Sequence, residues 1–312
     1  MDWMLVAASL GVGVVVGLTG MGGGALMTPI LVLFFGIPPL TAVSSDLVAA
    51  AVMKPVGSFV HIRDGNVRWD LVRWLCLGSV PAAFAGVFLA RSFGSGQAVQ
   101  DAVQVALGVA LLLAALGLGV RAWVAMVQRA RRRDGQPPEP TDIIRSLRLK
   151  PLPTVLIGAV GGVVVGMTSV GSGSLIIIAL MALYPGLLAR QLVGTDLVQA
   201  VPLVAAAALA HVLFGDFQLA ITLPLLIGSV PGAYVGARLS SRLPGSWVRR
   251  ALAFVLLASA LKLLGLPTPT VGVVLAAVLL VAPPAWMALR RLHGFPMIAR
   301  RTPTPERVDS TG

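Results

Sequence analysis

Three ionisable residues interrupt long apolar runs of this chain: Asp46, Lys54 and Asp196. A glycine-rich segment stands upstream of each aspartate, GLTGMGGG at 17–24 and GMTSVGSG at 166–173. In an apolar setting these residue types suit two kinds of chemistry. Glycines release backbone N–H groups from helical pairing, and a helix restarting behind them turns the positive end of its dipole toward the gap. Together these make an anion site. A carboxylate or an ammonium group in the same place moves or neutralises charge, and ionisable groups within membrane segments are functional hypotheses by default. The candidate anion-binding residues are Thr19, Gly22, Gly23 and Gly24 in the first segment, and Thr168, Gly171, Ser172, Gly173 and Ser174 in the second. Asp46, Lys54 and Asp196 are the candidate coupling or counter-ion groups.

Each has a plainer explanation beside it. A dinucleotide loop needs a strand before the glycines and an acidic residue about 20 residues on. Asp46 meets the second requirement, but the residues before Thr19 belong to an apolar run too long and too rich in alanine and glycine for a sheet strand. Small residues also let membrane helices approach closely, which explains isolated glycines better than the cluster at 20, 22, 23 and 24. Asp46 and Asp196, beside Ser44, Ser45 and Thr195, would equally serve as helix caps. Lys54 would equally reach toward the membrane surface. Asp46 lies two turns away, about 12 Å along a helix, so Lys54 is better placed to meet another helix or an anion. His61 and His211 stand at helix ends, as a possible gate or polar anchor. They lack the companion ligands a metal would need.

The elements that must position these residues are membrane helices. The chain is 57% hydrophobic and 12% charged, against about 25% charged in soluble domains. Apolar runs such as 98–120 and 271–289 reach the roughly 20 residues that span a bilayer as a helix. Strand alternation, the mark of a membrane barrel, is missing. The net charge of +12 gathers in short segments, at 129–150, 238–250 and from Arg290 onward. That is the pattern of cytoplasmic loops, not of nucleic-acid binding. The single cysteine, Cys76, excludes an intrachain disulfide, and no cofactor motif stands out. MDWMLV lacks a basic n-region, so no cleaved signal is expected.

The chain repeats itself. SSDLV (44–48) matches GTDLV (194–198), His61 matches His211, and GSVPAAFAG (78–86) matches GSVPGAYVG (228–236), all in one register. Five apolar stretches are expected in each unit: 3–19, 25–36, 42–60, 70–90 and 99–124, then 153–169, 174–186, 191–212, 217–240 and 248–265. A further one covers 270–290. The resulting division is a first membrane repeat (1–124), a basic cytoplasmic linker (125–150), a second repeat (151–266), an extra transmembrane helix (267–292) and a cytoplasmic tail (293–312). The first two stretches of each unit are short, and either cross as a pair or re-enter. An odd number of crossings inverts the second copy. With the linker inside, the basic loops fall inside and the N-terminus outside, Arg91 alone disagreeing. The fold expected is an all-α polytopic membrane protein of two inverted-topology repeats with short broken or re-entrant helices, an arrangement that recurs in secondary transporters.

The strings GMGGGALMTPIL, AVSSDL and GSFVHIRDGNVRWDLVRWLCLGSVPAAFAG resemble the sulfite exporter TauE/SafE family of membrane transport proteins. The resemblance covers both repeats. It implies movement of a small anion such as sulfite or an organosulfonate across the inner membrane, the bilayer and the anion being the partners. An anion channel and a membrane-embedded enzyme are the alternatives; against the enzyme, no catalytic constellation stands out. The second glycine segment lacks the proline that follows the first, so the two need not contact substrate alike.

Overall fold

The computed structural model describes residues 2–19, 24–94, 96–133, 149–187, 189–239 and 245–292. Eleven helices occur among them: α1 (Trp3–Thr19), α2 (Gly24–Phe35), α3 (Pro39–Arg63), α4 (Trp69–Ser92), α5 (Gln97–Arg133), α6 (Pro151–Thr168), α7 (Leu175–Leu183), α8 (Ala189–Phe214), α9 (Leu219–Leu239), α10 (Gly245–Leu263) and α11 (Thr268–Leu292). Seven are long and apolar enough to cross a bilayer. The described residues hold no strand, only an isolated bridge between Gly171 and Gly173. The chain is an all-α polytopic membrane protein.

All eleven expected stretches are helices. Their ends agree within three residues except at one place: α5 runs on to Arg133, well into the basic linker. Arg and Gln are good helix formers, so the helix outlasts its apolar part. Residues 134–148 of that linker lie outside the described residues. The helices α2, with 12 residues, and α7, with 9, rise about 18 and 14 Å at 1.5 Å per residue. Neither spans a core about 30 Å thick alone.

The packing is reciprocal between the halves. Helix α1 lies along α9, and α6 lies along α4; α3 meets α8, and α5 meets α10. Glycines set these contacts, and matching glycines set matching contacts. A β-carbon on Gly228 would overlap the Val6 carbonyl, and one on Gly78 the Val155 carbonyl. Gly13 abuts the Ser229 backbone as Gly162 abuts that of Ser79. Backbones this close gain dispersion contact that larger side chains would forbid. The fourth helix of each half therefore holds the first helix of the other.

The connection 64–68 and the connection 215–218 occupy opposite ends of α4. The first leads directly into α4. The second meets the far end of α4, where Arg91 Nη2 donates to the Gly215 carbonyl at 3.1 Å. Arg91, the charge that fits the loop pattern poorly, thus has a backbone partner. Helix α11 packs lightly on α10 and is almost wholly exposed, so it positions nothing at the centre.

Candidate functional site

The site is built where the second half's helix breaks. Helix α6 ends at Thr168, Ser169 turns into the left-handed region at φ 59°, and Gly171 and Gly173 take φ 135° and 92°. Glycine is needed at the latter two, because a β-carbon is strongly disfavoured there. Helix α7 then begins after Ser174. The start of α2 presses on this break: a β-carbon on Gly24 would overlap the Ser169 backbone. Gly24 is therefore a close-approach glycine between the halves.

Two cations converge on the break from different helices. The Lys54 ammonium, from α3, donates to Ser172 Oγ. Arg121, from α5, donates to the Gly173 carbonyl at 3.3 Å. Lys54 is 8% exposed. No ion pair joins it to Asp46 or Asp196 among the described residues, although it acts on both electrostatically, and Arg121 acts on Asp196. Pairing with Asp46 along α3 fails for the reason helix geometry gives: the two stand two turns apart. Pro55, next to Lys54, removes a backbone donor inside α3.

The two aspartates are fully buried, at 0% and 1% exposure, and hold different company. Asp46 Oδ2 accepts from Thr28 Oγ1 of α2 at 2.8 Å and from Ser169 Oγ of the break at 2.7 Å. Asp196 Oδ1 accepts from Gln199 Nε2 at 3.1 Å, and Ser79 of α4 donates to the same glutamine at 3.2 Å. Each carboxyl keeps one buried oxygen without a hydrogen-bond partner, Oδ1 in Asp46 and Oδ2 in Asp196. Both residues lie two turns inside their helices, α3 and α8. The capping explanation therefore fails: a cap stands at the first turn, where backbone N–H groups are free.

The other sequence candidates divide. Gly22 and Gly23 lie outside the described residues, as does the side chain of Thr19. Thr168 is buried, but its hydroxyl is engaged locally, donating to the Val164 carbonyl at 2.6 Å and accepting from the Val170 N–H at 3.1 Å. Its hydroxyl is used within the break itself. Ser174 is buried and makes no side-chain cap bond to α7. His211 is fully buried; its Nε2 donates to the Gly166 carbonyl at 2.7 Å and its Nδ1 meets Ser44 Oγ at 2.7 Å. It ties α8 to α6 and α3. His61 has a buried Nδ1 without a partner, so the matched histidines differ in their surroundings.

Sequence reasoning passed over four residues of this centre: Thr28, Arg121, Ser169 and Gln199. Arg121 carried a usable signal. It is a lone basic residue within an apolar stretch, several residues before the basic cluster that was read as linker. Gln199 follows Asp196 by three, one helical turn, where its match in the first half is Ala49. Ser229, the counterpart of Ser79, is consequently left with a buried hydroxyl lacking a partner.

The chain matches the family model described as Sulfite exporter TauE/SafE over residues 5–263. It belongs to that family. It is 37% identical over 265 residues to the probable membrane transporter protein YjnA of Bacillus subtilis, covering 85% of this chain and 100% of the relative. To the probable membrane transporter protein YdhB of the same organism it is 25% identical over 244 residues, covering 77% and 91%. No solved structure matches. The TauE/SafE chain is thus a multi-pass membrane transporter, and its family match spans both glycine segments, both aspartates and both cations of the centre.

Proposed function

We propose that this protein is a secondary transporter of a small oxyanion, sulfite or an organosulfonate, in the cytoplasmic membrane, and that it works as an exporter. The observation that supports the reading is the convergence of Lys54 and Arg121 on the break at 169–174. There, the buried Lys54 and the half-buried Arg121 donate to a serine hydroxyl and a backbone carbonyl. An oxyanion entering the break replaces these neutral acceptors with a charged one, turning each charge-assisted hydrogen bond into a contact between opposite charges. Ser172 and Ser174 supply further hydroxyl donors.

Access alternates because the break is shared. Gly24 and Asp46 hold it from the first half, and Ser169 to Ser174 belong to the second. Relative movement of the halves opens it to either side. The reciprocal helix packing, with the connections 64–68 and 215–218 at opposite ends of α4, supports an inverted repeat with the N-terminus outside and the C-terminus cytoplasmic. The direct test is sulfite binding to purified protein by calorimetry. Wild type binds, and Lys54→Met loses at least tenfold in affinity while remaining folded; equal affinity in the two rejects the site.

A further inference from the structure

We propose that Asp46 is a proton-binding site, carrying a proton in the conformation where it joins the two halves. The proposal deepens the transporter reading by naming its coupling ion. It rests on how the two carboxyl oxygens are used. Oδ2 accepts two hydroxyl donors, Thr28 and Ser169, and Oδ1 has none, although both lie where no solvent reaches. A carboxylate divides its charge equally between its oxygens, and burying a charged oxygen without donors is far more costly than burying a neutral group. A neutral acid fits the asymmetry. Its carbonyl oxygen, with two lone pairs, is Oδ2; its hydroxyl is Oδ1, which then forgoes one hydrogen bond but no charge.

The surroundings agree. Helix α2 brings no ionisable side chain to Asp46. Helix α8 carries Arg190 in its first turn, then Asp196 and His211; α5 carries Asp101, Arg121 and, at its far end, Arg129, Arg131, Arg132 and Arg133; α9 has Arg238 in its last turn. Lys54 acts on Asp46 from a distance without forming an ion pair, and it is engaged with Ser172. Asp196 differs: both Lys54 and Arg121 act on it, and an amide N–H donates to it. The structure therefore separates the roles, with the proton on Asp46 and the anion beside Lys54 and Arg121. Because Ser169 belongs to the other half, opening the break removes a donor from Oδ2 and admits water to Oδ1. The proton then leaves to that water. An anion beside Lys54 offsets the positive charge that disfavours the proton, so anion and proton favour each other's binding by the same factor.

Infrared difference spectroscopy of the protein in liposomes at neutral pH, with no sulfite present, reads the protonated carboxyl directly. The expected result is a carboxylic-acid C=O band that shifts in heavy water, disappears in Asp46→Asn and persists in Asp196→Asn. Should Asp46→Asn fail to fold, Thr28→Val replaces it. Losing a donor to Oδ2 must move the same band to higher frequency. Absence of the band in wild type, or a band untouched by both Asp46→Asn and Thr28→Val, overturns the proposal. The measurement needs no anion, so a protein that proves unable to move sulfite would still answer it.

Discussion

Ser169 of the second half donates a hydrogen bond of 2.7 Å to Asp46 of the first. The serine holds a left-handed backbone, with φ 59°, which an L-residue with a side chain adopts at some cost. Ser169→Gly relieves the backbone and removes the donor; Ser169→Ala removes the donor alone. The expectation is that both impair sulfite transport similarly, while the alanine variant melts at the lower temperature. Normal transport by both would show that the contact only packs the break.

Lys54→Met removes a buried cation that no carboxylate pairs. Its effect on stability is expected to be small, because losing the ammonium also removes the cost of burying it, and Arg121 still acts on Asp196. Its effect on sulfite binding is expected to be a loss of at least tenfold, or about 1.4 kcal/mol. Lys54→Arg keeps the charge and retains part of the affinity. Arg121→Gln should weaken binding in the same direction. Calorimetric titration and a melting curve for each variant check these outcomes; a Lys54→Met protein that melts early but binds normally would contradict them.

Glycine variants separate packing from binding. Gly78→Ala drives a methyl group into the Val155 carbonyl of α6, and overpacking of this kind costs about 1–3 kcal/mol. Gly272→Ala on α11 meets nothing within 4 Å and should stabilise that helix by roughly 0.5–1 kcal/mol. Gly173→Ala, at φ 92°, distorts the carbonyl that Arg121 holds, so it should reduce sulfite binding more than it lowers the melting temperature. Reversal of the Gly78 and Gly173 patterns would place the site away from the break.

The fold was largely legible because membrane helices announce themselves. Eleven apolar stretches became eleven helices, and the repeat, visible as SSDLV against GTDLV, became reciprocal packing of α1 on α9 and α6 on α4. The extent of α5 was not legible, because charge marks where a membrane ends and not where a helix does. At the site, Lys54 and the two aspartates were conspicuous as charges in apolar sequence. Their partners were not. Thr28, Ser169 and Gln199 are ordinary residues whose importance comes from contacts between helices far apart in the chain. Asp46 and Asp196 occupy one register in sequence, and only the fold shows that hydroxyls surround one and an amide the other.

Inverted topology makes its own prediction. Asp64 and Gln218 lie on equivalent exposed connections at opposite ends of α4. In a Cys76→Ser background, Asp64→Cys is expected to react with a membrane-impermeant maleimide only from the cytoplasmic side, and Gln218→Cys only from the outside. Labelling of both from one side would refute the inversion.

On the proposed mechanism the break beside Lys54 and Arg121 carries an anion by alternating access. Sulfite counterflow in proteoliposomes tests it most directly. Vesicles preloaded with unlabelled sulfite are diluted into labelled sulfite, and the internal label is followed with time. A transient accumulation of label above equilibrium is expected for wild type and none for Lys54→Met. Wild-type vesicles that merely equilibrate, as through a channel, or a Lys54→Met protein that accumulates label as wild type does, would contradict it.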